Sequence, residues 1–80
     1  MCTILIVEDE ELSREMIAEG LRRRGYEILT VGDGHEALKM SAKHDKQIHL
    51  MLCEVKTPGL RLRELIRIAV GMSPNMRVLR

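Results

Sequence analysis

Leu50-Met51-Leu52-Cys53-Glu54-Val55-Lys56-Thr57-Pro58-Gly59 starts as an apolar strand, ends that strand on a carboxylate and then turns at Pro-Gly. With Ile48 and His49 ahead of it, the strand spans Ile48 to Cys53. A run so uniformly apolar suits a central strand of a parallel sheet, covered on both faces. Beyond the turn, Leu62, Leu65, Ile66, Ala69 and Val70 fall at i, i+3, i+4, i+7 and i+8, the stripe of an amphipathic helix that Gly71 ends. Strand, turn and helix in that order are one half of a βαβ unit.

The same pattern repeats on the N-terminal side. A strand near Thr3–Glu8 carries Ile4-Leu5-Ile6-Val7, and a helix over Glu10–Arg24 follows, with Leu12, Met16, Ile17 and Leu21 as its expected buried face. Acids in its first turn, Arg22 to Arg24 in its last and Gly25 just beyond suit the helix dipole and a glycine stop. Tyr26–Val31 reads as the second strand. Asp33-Gly34-His35-Glu36 resembles a capping box that opens a second helix to about His44. Pro74-Asn75 leads into a fourth strand, Met76 to Arg80. Strands and helices of these lengths in strict alternation imply an α/β, doubly wound parallel sheet with right-handed crossovers, βαβαβαβ.

In open α/β sheets the sites lie at the carboxyl ends of the strands. The first strand delivers Glu8 and Asp9 there and the third delivers Glu54. If the two strands are parallel neighbours, these three carboxylates converge.

Composition narrows the function classes. Eighty residues, 45% hydrophobic and 31% charged, allow one soluble domain with a modest core. No apolar run reaches bilayer-spanning length, and no secretory leader opens the chain, so the expectation is no membrane and a cytoplasmic address. A net charge of +1, one Tyr and no Phe or Trp give nucleic acid neither attraction nor a stacking platform. Cys2 and Cys53 are expected about 15 Å apart at opposite ends of neighbouring strands, too far for a disulfide. His35, His44 and His49 lack ligand spacing. Met16, Met40, Met51, Met72 and Met76 read as core filling.

Taken together, Ile4-Leu5-Ile6-Val7-Glu8-Asp9-Glu10, Gly25-Tyr26-Glu27-Ile28, Asp33-Gly34-His35-Glu36-Ala37-Leu38, Leu50 through Gly59 and Arg63-Glu64-Leu65 resemble the receiver domains of two-component response regulators. The resemblance implies a flavodoxin-like sheet in the order 2-1-3-4, continuing to a fifth strand in the family. It also implies an acidic pair that holds Mg²⁺, and an aspartate that takes a phosphoryl group from a kinase phosphohistidine. Glu8 and Asp9 match the acidic pair, and Lys56 matches the position that offers its backbone carbonyl to the metal. Hard oxygen donors of this kind suit Mg²⁺.

Three departures stand out. Glu54 occupies the phosphoacceptor position, where the longer side chain displaces the attacking oxygen by about 1 Å, a misplacement that can cost about 100-fold. The family's Ser/Thr and Lys positions, its fifth strand and its last helix have no counterpart in residues 1–80, so the chain reads as a single partial receiver-like domain. Leu60-Arg61-Leu62 stands where receivers commonly carry glycine, which alters the entry to the helix after the turn.

The resulting expectation is a phosphorelay signalling module that is not phosphorylated in the normal way and acts by protein contact. Its partner is a histidine kinase or phosphotransfer protein, met through the first helix. The alternative is a non-switching fragment of a longer response regulator, stabilised as a homodimer or swapped assembly through the open edge of the fourth strand. A Mg²⁺-dependent phosphoryl-transfer enzyme is the remote reading, since the chain shows no P-loop, no nucleophile-elbow serine and no Cys–His pair. The plainest reading of Glu8 to Glu11 is acids at a helix N-terminus with Asp9 as the cap, and of the arginines a solvated helix surface.

Overall fold

The computed structural model describes residues 1–43, 47–54, 67, 71 and 75–79. The elements run β1 (Thr3–Glu8), α1 (Glu11–Arg22), β2 (Glu27–Val31), α2 (Gly34–Lys43), β3 (Leu50–Glu54) and β4 (Arg77–Leu79). The four strands form one sheet in the order β2-β1-β3-β4. Every pairing is parallel, with Thr3 against Glu27, Ile4 against Leu50 and Leu50 against Arg77 opening the three ladders. The parallel sheet is the one expected from the alternation of elements, and its order is the one the receiver resemblance implies. The stripe at residues 62–70 falls largely outside the described residues.

β1 lies between two strands and is buried along its full length, which explains why its sequence is apolar without alternation. The pleat sends its residues to two cores. Leu5 and Val7 pack with Val31, Met51, Cys53 and Ala37 of α2, whereas Ile4 and Ile6 pack with Ile28 and Ala18 of α1. The two helices therefore cover opposite faces of the sheet. Both cysteines are thiols, Cys2 half-buried and Cys53 buried.

The buried face of α1 differs from expectation. Leu12 and Met16 are 69% and 67% exposed, and the helix rests on the sheet through Ala18, with Ile17 and Leu21 partly buried. At about 100° per residue, Met16 lies about 160° around the helix from Ala18, so the two cannot both face the sheet. The four apolar positions belong to two rows, and the one beside the small Ala18 permits closer approach to the strands. The methionines divide similarly: Met51 and Met76 are core, whereas Met1 and Met16 are exposed.

The ends of the helices follow local chemistry. α1 starts at Glu11 with Glu10 as N-cap, not Asp9, and ends earlier than Arg24. Its stop is a Schellman pair, Gly25 N–H to Arg22 O at 2.9 Å and Tyr26 N–H to Leu21 O at 3.4 Å. Gly25 makes that possible by adopting φ 95°. At α2 the expected cap is present, with a shifted return bond: Glu36 N–H donates to Asp33 Oδ1 at 2.8 Å, while Glu36 Oε1 accepts the N–H of Gly32, one residue before the cap, at 2.9 Å.

Candidate functional site

The carboxyl edge of the sheet carries the site. β1 ends on Glu8 and β3 ends on Glu54, and the register pairs these two residues directly. Neighbouring strands lie about 4.8 Å apart, so the backbone brings the two acidic positions side by side. Asp9 follows in the exposed bend between β1 and α1. Of the expected ligands, Glu8 and Asp9 thus sit at one strand end next to Glu54, while Lys56 lies outside the described residues. Among the described residues no three His, Cys, Asp or Glu side chains group as a metal cluster.

Glu8 is the telling member. The residue is 9% exposed, and its Oε2 accepts the N–H of Glu10 at 3.0 Å. Among the described residues the one ion pair is Arg23–Glu19, far along α1. A buried carboxylate is costly unless hydrogen bonds or a counter-charge meet it. Its oxygens are hard donors, and Asp9 adds another carboxylate at the next position in the chain. This donor set fits a small divalent cation that keeps several waters.

Two groups on this edge carry no signal in the sequence. Arg14, on α1, reaches back so that its Nη1 donates to the backbone carbonyl of Glu8 at 2.9 Å. Gly32, just past β2, lies beside the same guanidinium. An arginine four residues after Glu10 reads as a surface residue, and only the folded turn shows its use.

The opposite, amino edge is closed by a second polar cluster. Thr3 Oγ1 donates to Glu27 Oε1 at 2.7 Å, and Thr3 N–H donates to His49 Nδ1 at 3.0 Å. His49 is thus a structural acceptor, in keeping with its lack of ligand spacing.

Along the flank of α1, Met16, Ile17, Gly20, Leu21, Arg23 and Arg24 line a shallow groove of about 590 Å³. Gly20 opens it by having no side chain, and Leu12 and Met16 add exposed apolar surface beside the arginines.

Comparison with known proteins decides the family. The sequence model of the response regulator receiver domain matches residues 4–79. The chain belongs to that family. This receiver domain is 45% identical over 56 residues to the transcriptional regulatory protein PdtaR of Mycobacterium tuberculosis, a match that covers 69% of the chain and 26% of PdtaR. The chain thus spans about a quarter of the length of that relative.

Solved structures agree. The receiver domain of the hybrid histidine kinase CckA superposes with a TM-score of 0.87 at 38% identity, covering 95% of this chain and 70% of that one. The response regulator TrrA, in complex with the histidine kinase ThkA, superposes at 0.81 with 31% identity over 98% of this chain and 66% of TrrA. TrrA of Thermotoga maritima in complex with Mg²⁺-BeF gives 0.84 at the same 31% identity, with the same coverage. The flavodoxin-like receiver fold and a place in two-component signalling are therefore established for this chain. No helix among the described residues is long and apolar enough to cross a membrane.

Proposed function

We propose that this receiver domain is a phosphorelay module that does not take a phosphoryl group in the normal way and works by protein contact. The observation that carries this reading is the in-register pair Glu8 and Glu54 at the carboxyl edge. By the family resemblance Glu54 matches the position of the acceptor aspartate. The extra methylene moves the carboxylate about 1 Å from where an in-line attack requires it, a displacement that can lower the rate about 100-fold.

The acidic positions Glu8 and Asp9, with the carbonyl of Lys56, are the residues that would hold Mg²⁺. A bound dication supplies positive charge that offsets the gathered carboxylates and steadies an incoming phosphoryl oxygen. The chain's own part is to hold Glu8 buried, keep Asp9 beside it and place position 54 in the same row. No turnover is part of this reading.

The contact surface is α1. Its outward side joins exposed Leu12 and Met16 to Arg23 and Arg24 around the Gly20 groove, an apolar centre with a basic rim of the kind that anchors a partner helix. The partner is a histidine kinase or phosphotransfer protein, as the ThkA complex of TrrA supports by similarity. A second reading, assembly with another copy through β4, is favoured by Leu79, 55% exposed on that strand.

Incubation with acetyl phosphate and Mg²⁺ followed by intact-mass measurement tests the acceptor. No adduct is expected on the native chain, and one phosphoryl group is expected on Glu54→Asp. A phosphoryl group localised to Glu54 would overturn the proposal.

A further inference from the structure

The pleat determines which neighbour the carbonyl of Glu8 faces. Cys2 O accepts from Glu27 N–H at 3.0 Å where β1 and β2 begin to pair. A parallel ladder repeats every second residue, so the carbonyls of Ile4, Ile6 and Glu8 also aim at β2. The register ends with Val7 against Val31, which makes the amide of residue 33 the next donor due at Glu8 O. Asp33 has left the strand by then, because its carboxylate caps α2.

Arg14 occupies the place of that donor, with Nη1 2.9 Å from Glu8 O. The residue beside it is glycine: a Cβ on Gly32 would lie 3.3 Å from Arg14 Nη1 and 3.7 Å from Glu36 Oε1. Any side chain there would crowd the guanidinium. The β1–α1 turn is consequently held twice, at the Glu8 carbonyl by Arg14 and at the Glu8 carboxylate by the Glu10 amide.

We propose that Arg14 is a positioning residue for the acidic edge: its guanidinium completes the β1–β2 ladder in place of a strand amide and so holds Glu8 and Asp9 in the geometry that meets a divalent cation, with Gly32 as the gap it needs. The cation part rests on the metal-binding reading above. The sign of the effect separates positioning from charge. A nearby positive charge repels Mg²⁺, so if charge were all that Arg14 contributed, neutralising it would tighten binding. Positioning requires the opposite.

The test uses the 80-residue chain and amide NMR, with Mg²⁺ alone as the probe. Arg14→Gln is expected to speed hydrogen exchange at the Glu10 amide and to weaken Mg²⁺ binding about tenfold, the usual scale for losing a group that orients a metal ligand. Exchange at Leu5 and Met51, in the sheet interior, stays as in the native chain and reports that the fold is intact. Arg14→Lys, which keeps the charge and one donor, recovers part of the loss. Gly32→Ala produces the same two changes in milder form, and adds nothing in the Arg14→Gln background because both act on one contact. Unchanged Glu10 exchange, or tighter Mg²⁺ binding, in Arg14→Gln would overturn the proposal. A native chain that shows no response to Mg²⁺ while Arg14→Gln still frees the Glu10 amide would remove the cation reading and uphold the hold on the turn.

Discussion

The imidazole of His49 accepts the backbone N–H of Thr3 at Nδ1, 3.0 Å away and 46 positions along the chain. Thr3 is 3% exposed, so this side chain satisfies a donor that water cannot reach. His49→Ala leaves that N–H buried and unpaired, which costs about 1–3 kcal/mol. His49→Asn, whose amide oxygen can accept from the same direction, is expected to lose less. Urea unfolding of the two variants measures the difference, and equal stabilities would show that the acceptor is dispensable.

Asp33→Ala removes the acceptor for Glu36 N–H at the start of α2. The expected loss is about 1 kcal/mol, as for other N-caps. Because Glu36 also receives Gly32 N–H, Glu36→Ala should approach the same loss, and the double variant should fall short of the sum.

Met51 is fully buried in the core on the α2 side of the sheet. Met51→Ala should cost about 2–5 kcal/mol, a large share of what so small a domain has. Thermal melts should show either a strongly lowered midpoint or a loss of cooperative unfolding.

Leu12→Glu and Met16→Glu should alter stability by less than about 0.5 kcal/mol, since both residues are exposed. If α1 is the contact surface, the same variants lose capture by histidine kinases and phosphotransfer proteins in a binding panel. Retained capture would move the contact elsewhere.

Glu8→Gln keeps an oxygen for Glu10 N–H and removes a buried charge. Stability should hold or rise, since burying a charge costs more than burying an amide that keeps its hydrogen bond, while Mg²⁺ binding falls. A loss of stability would mean that the charge itself supports the turn.

The architecture was legible because the apolar runs at Ile4–Val7 and Leu50–Cys53 are too uniform for a half-solvated sheet, and the glycine after Arg24 marks a helix end. The cap at Asp33 was equally plain, since its bond to Glu36 N–H is local. The rotation of α1 was not. Leu12 and Met16 repeat at helical spacing just as Ile17 and Leu21 do, and only the fit of Ala18 against Ile4, Ile6 and Ile28 selects the row. The acidic positions could be read from strand ends, because a parallel register follows from the alternation of elements. Arg14, Gly32 and His49 could not: Arg14 finds its acceptor only once the β1–α1 turn has folded back, and Gly32 and His49 meet partners on segments distant in sequence.

The strand order carries a consequence for how the chain comes to be folded. β1 is made first, yet both of its partners, β2 and β3, arrive later. No two neighbouring strands are joined by a hairpin, so every pairing waits for a loop containing an intervening segment to close, and such topologies fold slowly. A growing chain must be synthesised through Glu54 before β1 has a strand on each side. Until then its six apolar-rich residues keep at least one unsatisfied edge, which makes the nascent first strand the segment most in need of protection during synthesis.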